Sequence, residues 1–319
     1  YTLSLHDALP IFFETGDADW ASGLELLEPE RLEELAGHPG GRLIATPTNL
    51  VERLLFNFVD PGSIGSGALR PHQVLSDPRV RQAIALALPR DEIVIEIWGT
   101  AGSPANHILP APAAFMGPGV PRGPDLDAAF ALLSGANVND VALTLLTTVS
   151  GQQAPRTSTD HRIIAALESL GFQMRLREID PSVFFSPERS EPDSFVNFNG
   201  DLMLFAHGPT QPYPLRWASR YRSDRFPEDI AWSQEPNIAR YANPAFDALH
   251  DRAHTTVDPG SQQELWRSMM EMLEADVVEV PLVHRHAVAA ASNQLHDTRA
   301  SPWAEHPSFD LKHWRLGQP

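Results

Sequence analysis

The sequence contains no cysteine among its 319 residues. Disulfide bonds, thiolate catalysis and metal or iron–sulfur sites built on cysteine are therefore excluded. Proteins without cysteine occur both inside and outside the cytoplasm, so this absence leaves the compartment open.

Basic residues are few. The chain has 24 Lys and Arg against 41 Asp and Glu, and its formal net charge is −17. Nucleic acids and anionic membrane surfaces are held mainly by Lys and Arg side chains that contact their phosphates. Because the sequence has neither the net charge nor a dense basic run for such contacts, we expect no nucleic-acid partner.

Long apolar runs are also missing, since no stretch reaches the 18 or more residues that a membrane-spanning helix needs. With 42% hydrophobic and 20% charged residues, the composition is that of a globular protein with a sizeable core. A single core stops growing at roughly 250 to 300 residues. The length therefore predicts two lobes.

The first residues do not read as part of a fold. Residues 1–11 (YTLSLHDALPI) have no initiating Met and no basic segment of the kind that begins a signal peptide. The string resembles a translated library adapter. We predict that residues 1–11 are a non-native leader and that Phe12 is near the first native residue.

Helical and strand patterns alternate along the rest of the chain. Apolar spacing, capping residues and Pro or Gly stops predict helices at residues 77–88, from about 90, 125–133, 158–170, 244–255 and 259–275. Apolar and β-branched segments predict strands at residues 141–149, 173–179, 201–206, 277–284 and 287–291. Such alternation without internal repeats predicts an α/β fold with sheets covered by helices.

Two kinds of candidate functional residue stand out, each with a structural alternative. His284 and His286 lie two apart on a predicted strand and would point to one face, as metal ligands could. A metal site needs further ligands, and only proximity in sequence offers candidates, namely His296, His306 and His313. The alternative is that these histidines lie at a strand end or on a surface.

Aromatic and polar side chains in predicted loops form the second group. Loop aromatics are common ligand platforms. The alternative for each is packing beneath its own loop. The residues concerned are Trp20, Asn106, His207, Tyr213, Trp217 and Trp232.

Six segments in order resemble the family 5 solute-binding proteins of ABC importers, the receptor family for peptides, dipeptides and nickel. The most recognisable is SDPRVRQAIALAL at residues 76–88, which is similar to the family's D-x-x-V-R-Q-A helix. The others are residues 14–20 (ETGDADW), 52–61 (ERLLFNFVDP), 98–106 (WGTAGSPAN), 237–249 (NIARYANPAFDAL) and 280–282 (VPL). Together they extend over nearly the whole chain from Phe12.

The resemblance implies an α/β, two-lobed periplasmic-binding-protein clamshell of the type II-like kind, with lobe I incomplete at its amino-terminal side. Lobe I would consist of residues 12–75 and 286–319, and lobe II of residues 76–285. The family has no chemistry of its own, so we expect no catalytic residues and no cofactor. The implied role is to deliver a peptide or other small solute to ABC permease subunits, as a monomer in the periplasm or as a cell-surface lipoprotein.

The resemblance also implies a ligand site between the lobes. In peptide receptors of the family, the strand corresponding to residues 201–206 leads into a turn with an Asp that binds the peptide ammonium. Thr210 stands near that position here, which puts binding of a free ammonium in doubt. The predicted ligand-binding residues are Trp20, Asn106, His207, Gly208, Thr210, Tyr213 and Trp217.

Two rival hypotheses remain open at this point. A metal-assisted hydrolase would use His284 and His286. A ligand sensor would use the same clamshell to signal to a membrane partner instead of supplying a permease, since one fold can serve both tasks.

Overall fold

A computed structural model of the chain describes residues 5–110, 113–136, 138, 141–149, 154–188, 190–210, 215–231, 234–298 and 310–317. The helices are α1 (Leu5–Glu14), α2 (Pro29–Ala36), α3 (Pro78–Ala87), α4 (Arg90–Ile93), α5 (Leu126–Leu133), α6 (Ala154–Ser169), α7 (Pro181–Phe184), α8 (Leu215–Ala218), α9 (Pro244–Thr255) and α10 (Pro259–Ala275). The strands are β1 (Trp20–Ser22), β2 (Gly41–Phe56), β3 (Gly102–Pro104), β4 (Ala142–Thr148), β5 (Gln173–Ile179), β6 (Leu202–His207), β7 (Glu279–Ser292), β8 (Leu295–His296) and β9 (Arg315–Leu316).

Capping explains where three of the helices begin. Asp77, Asn243 and Asp258 each accept a hydrogen bond from a backbone N–H of the first turn, and a proline follows each of them. This combination satisfies an orphan donor and presets the first helical φ. The predicted helices at residues 244–255 and 259–275 are confirmed with the same bounds.

Seven of the described strands form one mixed sheet in the order β1-β7-β2-β6-β4-β5, with β3 also paired to β7. β4 is parallel to both β5 and β6, whereas β2 is antiparallel to β6 and β7. The α/β class expected from the sequence is therefore confirmed.

β2 and β7 connect the two ends of this sheet. The first half of β2, residues 41–47, pairs with residues 286–292 of β7, which also carries β1. The second half, residues 51–55, pairs with residues 279–284, and β6 lies on its other side. The pairing is interrupted between Pro47 and Val51, so the passage from one half of the sheet to the other lies there.

Some elements differ from the sequence prediction. Residues 277–284 and 287–291 do not form separate strands, because β7 runs without a break through His286. Helix α6 begins at Ala154, four residues before the predicted start. The sequence pattern gave no sign of the first half of β2, where Pro47 and Asn49 interrupt the apolar spacing.

The predicted boundary between the lobes and the predicted end of the leader both stay predictions. Strand pairing joins residues 51–56 of the proposed lobe I to β6 of the proposed lobe II, so contacts cross the boundary drawn at residue 75. Helix α1 runs across the proposed end of the leader at residue 11, and Phe13 in its last turn is buried. No helix in the described ranges is long and apolar enough to cross a membrane.

The buried core lies on both faces of the sheet. The largest cluster packs α3, α5 and α6 against one face and includes Leu54 and Leu204. A smaller cluster on the other face contains Leu55, Met203 and Phe184. This alternation follows from the strand period of two, and it leaves β6 with one apolar face toward each cluster.

Asn57 joins the end of β2 to the turn before β6. Its side-chain amide donates to the carbonyl oxygens of Phe198 and Gly200 at 2.9 and 3.0 Å, and its Oδ1 accepts from the N–H of Val59 at 3.2 Å. Phe198 has a φ of 42°, which a bulky residue seldom adopts. The buried amide therefore holds a turn of unfavourable backbone conformation.

We predict that Asn57→Ala lowers the free energy of unfolding by about 2 to 4 kcal/mol, because three buried backbone groups lose their partner. Chemical denaturation of both proteins measures this difference. Asn293→Ala is the control, since this exposed amide makes one bond to the carbonyl of Pro39, and its effect should stay below about 1 kcal/mol. Equal losses in the two variants would contradict the role given to Asn57.

Candidate ligand-binding site

The three parallel strands β4, β5 and β6 end at one edge of the sheet, at Thr148, Ile179 and His207. In open α/β sheets, ligands bind outside the carboxyl ends of the strands. The turn formed by residues 208–210 follows β6 directly at this edge. The turn is therefore the starting point for a ligand site.

The interruption of β2 lies beside the same turn. The side-chain amide of Asn49 donates to the carbonyl oxygen of Pro209 at 2.7 Å. The hydroxyl of Thr48 donates to the carbonyl oxygen of Arg285 in β7 at 2.8 Å. Residues 48–50 are consequently bonded both to the turn and to the neighbouring crossing strand.

Gly208 makes the closest backbone approach of the turn. A Cβ atom at this position would lie 1.5 Å from the carbonyl oxygen of Asn49. No side chain fits at that distance, so any residue other than glycine must displace the turn or β2.

A cavity of about 290 Å³ lies next to the end of β6. One of its walls is aromatic. The rings of Phe195 and Phe205 stack with centroids 5.0 Å apart, and the half-exposed Phe185 lies 6.1 Å from Phe195. The volume is close to the lower end of the range typical of small-molecule sites, roughly 300 to 1,000 Å³.

The cavity also has a wall of buried charged groups. Glu279 accepts a hydrogen bond from a terminal nitrogen of Arg53, and Nε of Arg53 donates to the carbonyl oxygen of His207 at 3.2 Å. Nε2 of His207 lies 3.4 Å from the second oxygen of Glu279. The three side chains are almost fully buried. The buried charges of Arg53 and Glu279 are tolerable only because the two groups are paired and hydrogen-bonded.

A smaller hollow adjoins the cavity and shares Arg220 and Glu235 with it. Glu235 lies 3.1 Å from Nε of Arg216 and 3.9 Å from a terminal nitrogen of Arg220. The ring of Trp217 has the guanidinium carbons of Arg53 and Arg220 at 5.7 and 5.9 Å from its centroid, within range of cation–π attraction. The remaining lining comes from the turn residues Gly208, Pro209 and Thr210.

The buried groups have defined protonation states. Burial, together with the positive charges of Arg220 and Arg53, lowers the pKa of His207 to about 3. Its Nδ1 accepts from Arg220 at 2.6 Å, so the neutral ring carries its proton on Nε2, toward Glu279. Burial alone would raise the pKa of Glu279, but the charge of Arg53 holds it at about 2. At neutral pH the carboxylate is charged and the imidazole is not.

The structure brings together four of the residues that the sequence nominates. His207 lines the larger cavity, and Gly208, Thr210 and Trp217 line the smaller hollow. Trp217 also belongs to a buried core cluster and is 4% exposed, so it serves packing as well. Tyr213, like Trp232, lies outside the described residues.

The other two nominated residues contact different partners. Trp20 in β1 packs its ring against that of Trp314, with centroids 4.6 Å apart. The side-chain oxygen of Asn106 accepts from Arg90 at 3.1 Å. Neither is among the described residues that line the two hollows, and their role in ligand binding stays a prediction.

Sequence reasoning missed most of the charged wall, although one signal was present. Glu52 and Arg53 are adjacent charges inside the apolar segment 50–56, and a strand sends them to opposite faces of the sheet. Glu279 is a similar charge at the start of β7. Charged residues are almost never fully buried unless they are paired, so these positions indicated a buried ionic group.

The opposite face carries a second buried ionic group. Glu52 is fully buried, with its carboxylate 3.8 Å from Arg156 and 3.5 Å from Arg285. Arg156, in the first turn of α6, donates to the hydroxyl of Thr148 at 2.8 Å. Burial raises the pKa of the nearby Asp160 to about 7. This group anchors the start of α6 to the end of β4.

The histidine pair is engaged with protein groups. Nε2 of His284 lies 2.5 Å from the carbonyl oxygen of Thr48, and the two ring nitrogens of His286 lie 3.1 Å from Ser103 and from the carbonyl oxygen of Thr100. Within the described ranges, no group of three or more His, Cys, Asp or Glu side chains is placed to hold a metal ion. His306 lies outside these ranges.

Comparison with known proteins identifies the family. The profile named "Bacterial extracellular solute-binding proteins, family 5 Middle" matches residues 8–224, about two thirds of the chain. The chain belongs to this family. The resemblance seen in the sequence segments is thereby confirmed.

Solved structures of family 5 proteins share the fold. The ABC transporter substrate-binding protein CtaP of Listeria monocytogenes superposes with a TM-score of 0.76 at 20% identity over 98% of this chain. The periplasmic binding protein DppA of Helicobacter pylori, in complex with the peptide STSA, gives 0.74 at 17% identity over 99%. NikA of Staphylococcus aureus, in complex with Ni(L-His)2, gives 0.67 at 12% identity over 92%. The predicted periplasmic-binding-protein fold is confirmed.

The chain spans slightly under three fifths of each of these structures, namely 58%, 56% and 57% of their lengths. A comparison with curated protein sequences found no match.

We predict that Gly208→Ala lowers the free energy of unfolding by about 1 to 3 kcal/mol, because the added methyl group collides with the backbone of Asn49. Thermal and chemical denaturation measure the loss. Gly260→Ala is the matched control in the first turn of α10, where the nearest atom to the new Cβ is 3.4 Å away, and it should be as stable as the parent or slightly more so. A Gly208→Ala protein of parental stability would show that the turn is not constrained by β2.

The buried imidazole predicts an acid-dependent loss of stability. The folded-state pKa of His207 lies below its ordinary value of 6.5, so the unfolded chain binds the proton first as the pH falls. Its stabilising contribution is complete above pH 6.5 and is lost toward pH 3, with a slope of up to about 1.4 kcal/mol per pH unit. The free energy of unfolding, measured by denaturation at several pH values between 6.5 and 5, should fall less steeply with pH in His207→Gln than in the parent. The exposed His254, changed to Gln, should leave the parental slope, and a parental slope in both variants would contradict the assignment.

Proposed function

We propose that the protein is the solute-binding receptor of an ABC importer, which captures a peptide or another small solute and delivers it to permease subunits in the membrane. The observation that carries this proposal is the position of the two adjoining hollows. They lie at the carboxyl edge of the parallel strands of a family 5 fold, beside the interruption of the two crossing strands. A ligand there would contact the end of β6 and the turn at residues 208–210, which is hydrogen-bonded to Asn49 in the passage between the sheet halves.

The proposal includes the setting in which such receptors work. Family 5 proteins are extracellular solute-binding proteins by description. We infer that this chain also acts outside the cytoplasm, as a monomer, and without chemistry of its own. Binding and release, rather than catalysis, would be its whole activity.

The ligands of structural relatives do not decide the ligand of this chain. The Helicobacter pylori relative is in complex with a peptide and the Staphylococcus aureus relative with a nickel–histidine complex. Their identities to this chain are 17% and 12%, so the ligand must be argued from the side chains of this site. Thr210 stands near the place where the resemblance puts the Asp of peptide receptors, which supports a ligand that is not held by a free ammonium.

A ligand screen with a blocking variant tests the proposal. Thermal melts of the 319-residue chain against a set of short peptides and small organic acids should reveal at least one solute that raises the melting temperature, because a bound ligand stabilises the folded state. Thr210→Trp fills the smaller hollow and should abolish that shift. Thr255→Trp, at the exposed end of α9, should retain it.

Two results would contradict the proposal. One is a chain that folds cooperatively and responds to no solute in the set. The other is a stabilising solute whose effect is unchanged in Thr210→Trp, since that solute would bind elsewhere.

A further inference from the structure

The charged groups around the two hollows do not cancel. Arg216 and Arg220 line them, and Arg53 lies directly behind, bonded to Glu279. Their carboxylate partners are Glu235 and Glu279. With His207 neutral, the charged groups that line the hollows balance, Arg216 and Arg220 against Glu235 and Glu279, and Arg53 behind the lining adds a third guanidinium. The site therefore carries one excess positive charge.

The unpaired hydrogen-bond donors also favour an anionic ligand. Both carboxylates are already engaged, Glu279 by Arg53 and His207, and Glu235 by the arginines beside it. In contrast, three buried N–H groups have no acceptor in the described part of the chain. They are Nη2 of Arg53, Nε of Arg220 and Nε1 of Trp217. Buried donors without partners are costly, and an acceptor on a ligand in the smaller hollow would relieve that cost at Arg220 and Trp217, which line it.

The larger cavity restricts the rest of the ligand. The stacked rings of Phe195 and Phe205, together with Leu55 and Ile238, offer an apolar surface. At about 290 Å³, the cavity has room for one aromatic or branched aliphatic group rather than for a long chain. Half-exposed Phe185 lies at its border.

We propose that the two hollows together bind a small carboxylate that carries one apolar group and needs no free ammonium. The carboxylate faces Arg220 and Arg216, and the apolar group lies against Phe195 and Phe205. This inference rests on the proposed function, because it names the ligand class of the same site.

The same groups disfavour binding of a cationic ligand. An ammonium in the smaller hollow would approach Arg216 and Arg220, whose attraction to Glu235 it would have to replace. Thr210 contributes a hydroxyl and no charge there. Like charges at a partly buried site repel more strongly than in water, because the effective dielectric constant is lower.

Three probes that share a benzyl group test the charge preference. They are N-acetyl-L-phenylalanine, which is an anion, N-acetyl-L-phenylalaninamide, which is neutral, and L-phenylalaninamide, which is a cation. Isothermal titration calorimetry with the 319-residue chain at neutral pH should rank them in that order. The anion should bind at least about tenfold tighter than the neutral amide, as a charge-assisted hydrogen bond predicts.

Two variants connect this preference to named residues. Arg216 is 69% exposed, so Arg216→Gln should fold normally and weaken the anionic probe about three- to tenfold without changing the neutral one. Thr210→Asp should weaken the anion further and strengthen the cation. Arg79→Gln is the matched control, since this exposed arginine also pairs with a single carboxylate, Asp77, at the start of α3, and it should change neither affinity.

The outcomes separate this inference from the proposed function. Binding of the neutral probe as tightly as the anion, or tighter binding of the cation, overturns the inference while the site remains a solute site. Failure of all three probes at millimolar concentration also overturns it, whereas the solute screen with Thr210→Trp tests the proposed function on its own. Equal effects of Arg216→Gln and Arg79→Gln would remove Arg216 from the site.

Discussion

The antiparallel pairing of β2 with β7 holds the sheet together from end to end. Residues 41–47 and 286–292 form one half, residues 51–55 and 279–284 form the other, and the two strands are the connection between them within the same sheet. Two parts of the candidate site are joined to this pair directly. β6 is bonded to β2, and the buried carboxylate of Glu279 projects from β7. A regular sixteen-residue strand would form one stiff ladder of hydrogen bonds. The interruption at residues 48–50 divides the ladder between β2 and β7 into two shorter ladders.

The buried ionic group is the second constraint. Removing Arg53 or Glu279 from water is expensive, and their mutual bond offsets that expense only because further hydrogen bonds fix the geometry. The backbone carbonyl of His207 and its ring supply those bonds. The charged wall of the cavity is therefore rigid where it meets the aromatic wall. Preorganisation of this kind lowers the entropy lost when a ligand is ordered.

Local signals predicted much of the fold. α9 and α10 have the bounds expected from the sequence, because a capping side chain and a proline define each start. The first half of β2 was not predictable, because a strand containing Pro47 is formed only through pairing with β7, which is distant in sequence. The candidate site also has a part that was predictable and a part that was not. The turn at residues 208–210 was found through resemblance, whereas Phe195 reaches the cavity from a segment without regular secondary structure, and no local pattern marks it.

The bonds around residues 48–50 have a mechanical consequence. Asn49 is fixed to the turn that would touch a ligand, and Thr48 is fixed to β7. Gly208 leaves no gap between the turn and the backbone of Asn49. The turn therefore cannot shift without breaking one of these bonds or displacing the crossing strands. A displacement of the turn is therefore coupled to residues 48–50, the point at which the two halves of the sheet meet.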